Sequence, residues 1–199
     1  MEQLTETQIK IHKVARAQFL ENGYEKTSLR KIVGQAGFTL GAFYGYYNSK
    51  EDLFNALVKD TAEGVIDIIS HMGDHLDTFS GEERVANMNP VFEEELPKLL
   101  TYLSEHMEET RLLLKCSKGT AYENFLEGIM ERNLSSLRKM FGEQLPWNSL
   151  TEKLLLNSYF SLLGDAVLSG ETMEEVKQTM NQIQAFYAGG MLALTKGNH

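Results

Sequence analysis

Between Lys26 and Lys50 the chain reads KTSLRKIVGQAGFTLGAFYGYYNSK, a stretch that leaves few ways to fold. Ser28 is a helix-start residue, and Leu29, Ile32, Val33 and Ala36 after it recur on one face of a helix. Gly37 stands where that run stops and supplies a tight turn. Thr39 then caps a second short run that carries Ala42, Phe43 and Tyr46. Two short helices joined by a glycine-containing turn make a helix-turn-helix. The same stretch holds Lys26, Arg30, Lys31 and Lys50, and no Asp or Glu at all. It therefore offers a local positive surface to phosphates, as a DNA-reading element requires.

That surface stands out because the whole chain is acidic, with a formal charge of −9 over 199 residues. Such a balance argues against a protein that coats nucleic acid indiscriminately. The charge is also divided. Residues 1–60 carry eight Lys/Arg against seven Asp/Glu, and the remainder eleven against twenty-one. A near-neutral head on an acidic body is the implied arrangement. A single cysteine excludes an internal disulfide and fits a reducing cytoplasm. No run is long and apolar enough to span a membrane, and the opening residues show no apolar signal region.

Alternating strand patterns are absent, and helix starts recur. Ser or Thr followed three residues later by Glu or Gln occurs at Thr5/Gln8, Ser80/Glu83, Thr120/Glu123, Ser149/Glu152 and Thr172/Glu175. The chain thus reads as all-α. A first helix runs from about Thr5 to Asn22, with Ile11, Ala15 and Phe19 on its inner face and Gly23 as its stop. It completes a three-helix head. After Ser49 a long helix is predicted to about Leu76, linking head to body through Leu53, Leu57, Val58, Ala62, Val65, Ile69 and Met72. The domain division expected is 1–48 for the head and 49–199 for the body. Within the body, Asn89-Pro90 reads as a helix start and Pro97 as a kink or break. A helix is predicted over residues 121–141. The last two, over about 150–168 and 173–194, are apolar on more than one side, which calls for cover on both sides.

The head's wording is similar to that of the TetR/AcrR family of bacterial transcriptional regulators. The residues that carry the resemblance are Gly23-Tyr24, then Thr27 to Ile32, Ala36-Gly37-Phe38-Thr39, Gly41-Ala42-Phe43-Tyr44, Tyr46-Tyr47, and Ser49 to Phe54. They cover about the first quarter of the chain, in order and without gaps. The resemblance implies a helix-turn-helix head that binds double-stranded operator DNA. It also implies a homodimer built on the last two helices (residues 150–194) and a helical body that binds a small-molecule effector. No cofactor and no membrane are implied.

Candidate DNA contacts follow from the motif. Ser28 can present its hydroxyl and backbone N–H to a phosphate. On the second helix, Thr39, Leu40, Gly41, Tyr44, Gly45 and Tyr46 are candidates for the groove face. Leu40 suits a thymine methyl, and Gly41 and Gly45 allow close backbone approach. The resemblance adds Arg30 as a base-contacting arginine, and Tyr44 and Lys50 as phosphate contacts. Tyr47 is weighed between DNA contact and packing of the head. For the effector, the resemblance points to body helices that carry Phe92, Tyr102, Met107, Tyr122, Phe125, Met130 and Tyr159. Thioethers and amphipathic rings suit an adaptable apolar pocket, although ordinary core explains any one of them equally well.

Two other constellations carry less. Asp67, His71 and His75 lie at helical spacing, as a metal site allows, but solvated side chains at a helix end are the better reading. Cys116 and His106 lack the acid and oxyanion donors that a thiol nucleophile needs, so the cysteine is expected in the core. The chain therefore reads as a non-enzymatic, ligand-responsive regulator, most readily a repressor. The alternatives are a helical enzyme or metal-binding protein with an appended helix-turn-helix, and a helical adaptor whose head binds protein.

Overall fold

The computed structural model describes residues 4–79, 81–129, 131 and 148–196, and among them every regular element is helical. Three helices make the head: α1 (Glu6–Lys26), α2 (Leu29–Gln35) and α3 (Leu40–Tyr44). They are followed by α4 (Lys50–Asp77), α5 (Gly81–Glu105) and α6 (Met107–Arg111), the last running into a π-helical turn at Leu112–Cys116. Two long helices close the chain, α7 (Ser149–Ser169) and α8 (Met173–Lys196).

The starts and stops follow local chemistry. Thr5 forms a full capping box with Gln8, satisfying donors that the first turn of α1 leaves free. Thr39 Oγ1 accepts from Ala42 N at 3.2 Å and opens α3. Gly23 adopts a φ of 74° inside the span of α1 and kinks it, where a stop was predicted. For α7 the cap is Asn148, whose side chain accepts from Thr151 N at 2.9 Å, and not Ser149. Neither proline ends a helix: α5 runs through both Pro90 and Pro97. The expected start at Asn89 is therefore overridden. Val91, Phe92, Leu96, Leu99, Leu100 and Leu103 are buried along α5, and packing of that face outweighs the two missing N–H donors. Residues 121–124 lie in turns, with helix only at 125–129 and at 131; the rest of the predicted 121–141 helix, including Met130, lies outside the described residues.

The chain divides into two compact units. The first comprises Met1–Gly64 with His106–Phe125, the second Val65–Glu105 with Leu126–His199. The core of the first unit joins Ile11, Ala15 and Phe19 of α1 to Ile32 and Val33 of α2, Phe43 of α3, and Leu53, Phe54, Leu57 and Val58 of α4. Leu112, Leu113 and Cys116 complete it. A segment from the middle of the chain is thus part of the head's core. Burying each large side chain there contributes roughly 1.5–3 kcal/mol. Phe54 sets its ring edge-on to Phe19 (5.2 Å) and Tyr24 (5.4 Å). In the second unit, α8 packs against both α5 and α7, and Val176 and Met180 of α8 are buried. No described helix is long and apolar enough to cross a membrane.

Candidate nucleic-acid interface

The turn between α2 and α3 is fixed by backbone bonds. Ala36 N–H bonds Ile32 O, Phe38 N–H bonds Val33 O at 3.0 Å, and Gly37 takes a φ of 82°. This is the glycine-closed C-terminus that releases the chain into a new direction. One face of α2 then goes inward, with Ile32 and Val33 buried and Leu29 and Ala36 packed against the core. Arg30, Lys31, Gly34 and Gln35 are exposed. Phe43 anchors α3 at 0% exposure, while Thr39, Gly41, Tyr44, Gly45 and Tyr46 are exposed. Leu40 is half-buried and packs against the core.

The candidate side chains have separate degrees of freedom. Ser28 occupies the N-cap position of α2 without a side-chain capping bond, so its hydroxyl is not consumed by the helix start. Tyr44 is 56% exposed and stacks edge-on against Phe43 at 5.4 Å, which steadies the ring while the hydroxyl faces outward. Thr39 spends its hydroxyl on the cap of α3.

Lys50 is placed differently from the free phosphate ligand expected. Its ammonium donates to Tyr24 O at 2.7 Å and Thr27 O at 3.0 Å, and it sits 4.0 Å from the centroid of the Tyr24 ring. Burial pushes its pKa down, opposed by the nearby Glu25 carboxylate. Two of its three donors are thus committed inside the head. Thr27 adds a second clamp, its hydroxyl donating to Gln18 O and Gly23 O. Together these groups satisfy the carbonyls released where α1 gives way to α2.

Beneath α3 lies a contact that sequence reasoning missed. Tyr47 is buried, and its hydroxyl lies 2.6 Å from His12 Nε2 on α1. Its backbone N–H bonds Phe43 O, tying it to the end of α3. Tyr47 is therefore a support of the head and not an exposed DNA contact. The one sequence signal was a histidine directly beside the Ile11, Ala15, Phe19 stripe.

The expected effector residues fall into different places. Tyr122 and Phe125 belong to the first unit and pack against the head core; the Tyr122 hydroxyl donates to Asn55 Oδ1 at 2.5 Å. Met107, half-buried, opens α6 in the same unit. Phe92, Tyr102 and Tyr159 belong to the second. There Tyr159 donates to Gln184 Oε1 at 2.6 Å and stacks on Tyr187, and burial pushes its phenol pKa up. A cavity of about 320 Å³ in that unit is lined by Leu126, Glu127, Asn157, Phe160 and Ser161. Asp67 and His71 do not join His75; instead His75, Glu94 and Glu95 bring ligand atoms within 4.8 Å of one another. Lys98 already bonds both oxygens of Glu95, at 2.9 and 2.8 Å, and lowers its pKa. Cys116 lies in the head core, where burial raises its thiol pKa.

Comparison with known proteins adds to this geometry. Residues 11–57 match the family model described as bacterial regulatory proteins, tetR family. Over 59 residues the chain is 34% identical to the HTH-type transcriptional repressor AcnR of Corynebacterium glutamicum, a match covering 30% of this chain and 31% of the relative. The chain thus spans about a third of the curated relatives it matches. Among solved structures, a TetR-like transcriptional regulator from Rhodococcus sp. RHA1 superposes with a TM-score of 0.59 at 18% identity, covering 96% of this chain and 99% of that one. A transcriptional regulator from Aquifex aeolicus VF5 gives 0.56 at 21% identity, covering 90% and 99%. These two share the fold along nearly the whole chain.

Proposed function

We propose that the chain is a DNA-binding transcriptional repressor of the tetR family, whose model its residues 11–57 match, homodimeric and released from its operator by a small-molecule effector. The observation that carries the proposal is the outward face of α2 and α3. Arg30, Lys31, Tyr44 and Tyr46 are exposed there on helices anchored by the head core, in a stretch without a single acid. In this reading residues 1–48 are the DNA-reading head and residues 49–199 the effector-binding and dimerisation body. Arg30 forks onto guanine acceptors, and Ser28, Thr39, Leu40, Gly41, Tyr44, Gly45 and Tyr46 meet the groove and its phosphates. Lys50 serves mainly by holding the α1–α2 junction.

The dimer is supported by α7 and α8, where Leu150, Leu154, Leu162, Phe186 and Leu194 are exposed at 42% to 77%. A second copy covers such a face by two-fold symmetry. For the effector, the 320 Å³ cavity in the second unit is the candidate site; Phe92, Tyr102 and Tyr159 belong to the same unit but are not among its described lining residues. Its lining of Leu126 and Phe160 beside the Glu127 carboxylate favours an amphipathic cation.

The experiment is a selection of duplexes from a random-sequence pool by the full-length protein, followed by release of the winner with lipophilic cations, neutral molecules and anions. A near-palindromic duplex with half-sites about 34–36 Å apart supports the proposal. Failure to enrich any duplex rejects DNA reading, and release only by small polar anions or metal ions rejects the effector class.

A further inference from the structure

The buried contact between α1 and the end of α3 is polar, within a head core that is mainly apolar. His12 is 6% exposed and Tyr47 5%, between Ile11, Phe43 and Phe54 at 0%. Two fully apolar side chains would fill such a site without any desolvation cost. What the polar pair adds is direction. Tyr47 is bonded through its backbone to Phe43, so a bond at its hydroxyl fixes how the end of α3 sits on α1.

Burial of the pair bears on which group donates. Gln8 Oε1 accepts from Thr5 N and from Thr5 Oγ1, both at 3.0 Å. The Gln8 side chain lies near the Tyr47 hydroxyl and opposes the larger upward push that burial gives its pKa. A buried phenol needs an acceptor for its proton, and His12 Nε2 at 2.6 Å supplies it, so the Tyr47 O–H donates to His12. The imidazole is then neutral, with its proton on Nδ1.

We propose that His12 is a positioning residue for DNA reading: its neutral imidazole accepts the Tyr47 O–H and so sets α3 on the head, and protonation of His12 undoes that setting. The inference rests on the DNA-reading role of α2 and α3. Protonation turns Nε2 into a donor and leaves the buried Tyr47 O–H without an acceptor. It also places a second cation near Arg16, whose Nε is buried without a hydrogen-bond partner. The charged groups around the pair come from three helices. Arg16 on α1 disfavours the imidazolium; Glu109 on α6 is occupied by Arg16 at 2.7 Å; Asp52 on α4 lies near Tyr47 and accepts from Asn48 N–H and its side-chain amide. Burial first, and Arg16 second, push the His12 pKa below its ordinary 6.5.

The sign follows. A base whose pKa is depressed on folding contributes its full stability above the unfolded value of 6.5 and loses it as pH falls from there through the folded value. DNA affinity falls in the same direction but only as pH nears the lowered folded value, since its reference is the free folded head and the bound head needs the neutral pair.

The test uses the full-length protein and the duplex it retains from a random pool at pH 8. Affinity is measured from pH 8 to pH 5.5 for the wild type and for the His12→Leu/Tyr47→Phe double variant, which replaces both partners with apolar groups. The wild type is expected to lose more affinity than the double variant across that range, with the extra loss staying below tenfold, the ceiling set by a pH one unit under the ordinary 6.5. Ring-nitrogen NMR shifts of His12 at pH 7.5 are expected to show the proton on Nδ1 alone. Parallel pH profiles, or a ring protonated on Nε2 at pH 7.5, overturn the inference. A pool in which no duplex is retained at any pH refutes the DNA-reading proposal itself, and this inference with it.

Discussion

Replacing Lys50 by Met keeps most of its stem and removes the ammonium, which separates two roles that the sequence alone cannot. The ammonium bonds two carbonyls at 2.7 and 3.0 Å and lies 4.0 Å from the Tyr24 ring centroid. The site is half-buried, so water reaches part of what is released, and each bond is worth about 1 kcal/mol, below the roughly 1.5–3 kcal/mol of a charged donor shielded from water. The ring contact adds about 0.5–1 kcal/mol. Lys50→Met should therefore cost about 2–3 kcal/mol, which lowers Tm by about 5–10 °C in a chain of this length. The assay is thermal unfolding followed by circular dichroism, with the salt dependence of duplex binding measured on the same variant. The slope of log affinity against log salt is expected to change by well under one unit, since the ammonium is spent inside the head. An unchanged Tm together with a slope reduced by about one unit would refute the reasoning and make Lys50 a phosphate ligand.

Other outcomes are as specific. Arg30→Ala should cost about 1–3 kcal/mol at particular base pairs and relax preference there, with Tm unchanged, as read by competition among single-base variants of the selected duplex. Leu112→Ala should destabilise the protein by about 2–5 kcal/mol in denaturant titration, because Leu112 is 0% exposed in the core shared with α1 to α4. Leu162→Glu, at a residue 44% exposed on α7, should shift sedimentation from dimer to monomer while leaving helical content intact. Phe160→Ala should abolish the thermal shift given by any effector that fills the second unit's cavity, whereas Tyr122→Ala should leave that shift in place.

The head was legible in the sequence because its signals are local. The Thr5 and Thr39 caps and the turn at Gly37 depend on residues within one turn of each other, and each appears where the sequence puts it. The body was less legible because tertiary packing overrides local rules there. Pro90 and Pro97 sit inside α5, where the burial of Leu96, Leu99 and Leu100 outweighs proline's missing donors. The Thr120/Glu123 pair is real as a turn: Thr120 Oγ1 accepts from Tyr122 N, and Gly119 N–H bonds Glu123, but no helix follows until residue 125. Contacts between distant segments left no trace at all. Nothing in the spacing of Leu112, Leu113 and Cys116 reveals that they join the head core, or that Tyr122 reaches Asn55 across 67 residues. The same holds for the inward turn of Lys50 and for His12 under Tyr47, which exist only once α1, α3 and α4 are assembled.

The most direct test of the DNA-reading face is a backbone NMR titration of the full-length protein with its selected duplex. Amide shifts should move most at Ser28, Arg30, Thr39, Gly41, Tyr44, Gly45 and Tyr46, with Ile32 and Phe43 behind them moving little. A spectrum in which residues 28–46 stay still while α7 or α8 responds to the duplex would contradict the assignment of that face to DNA.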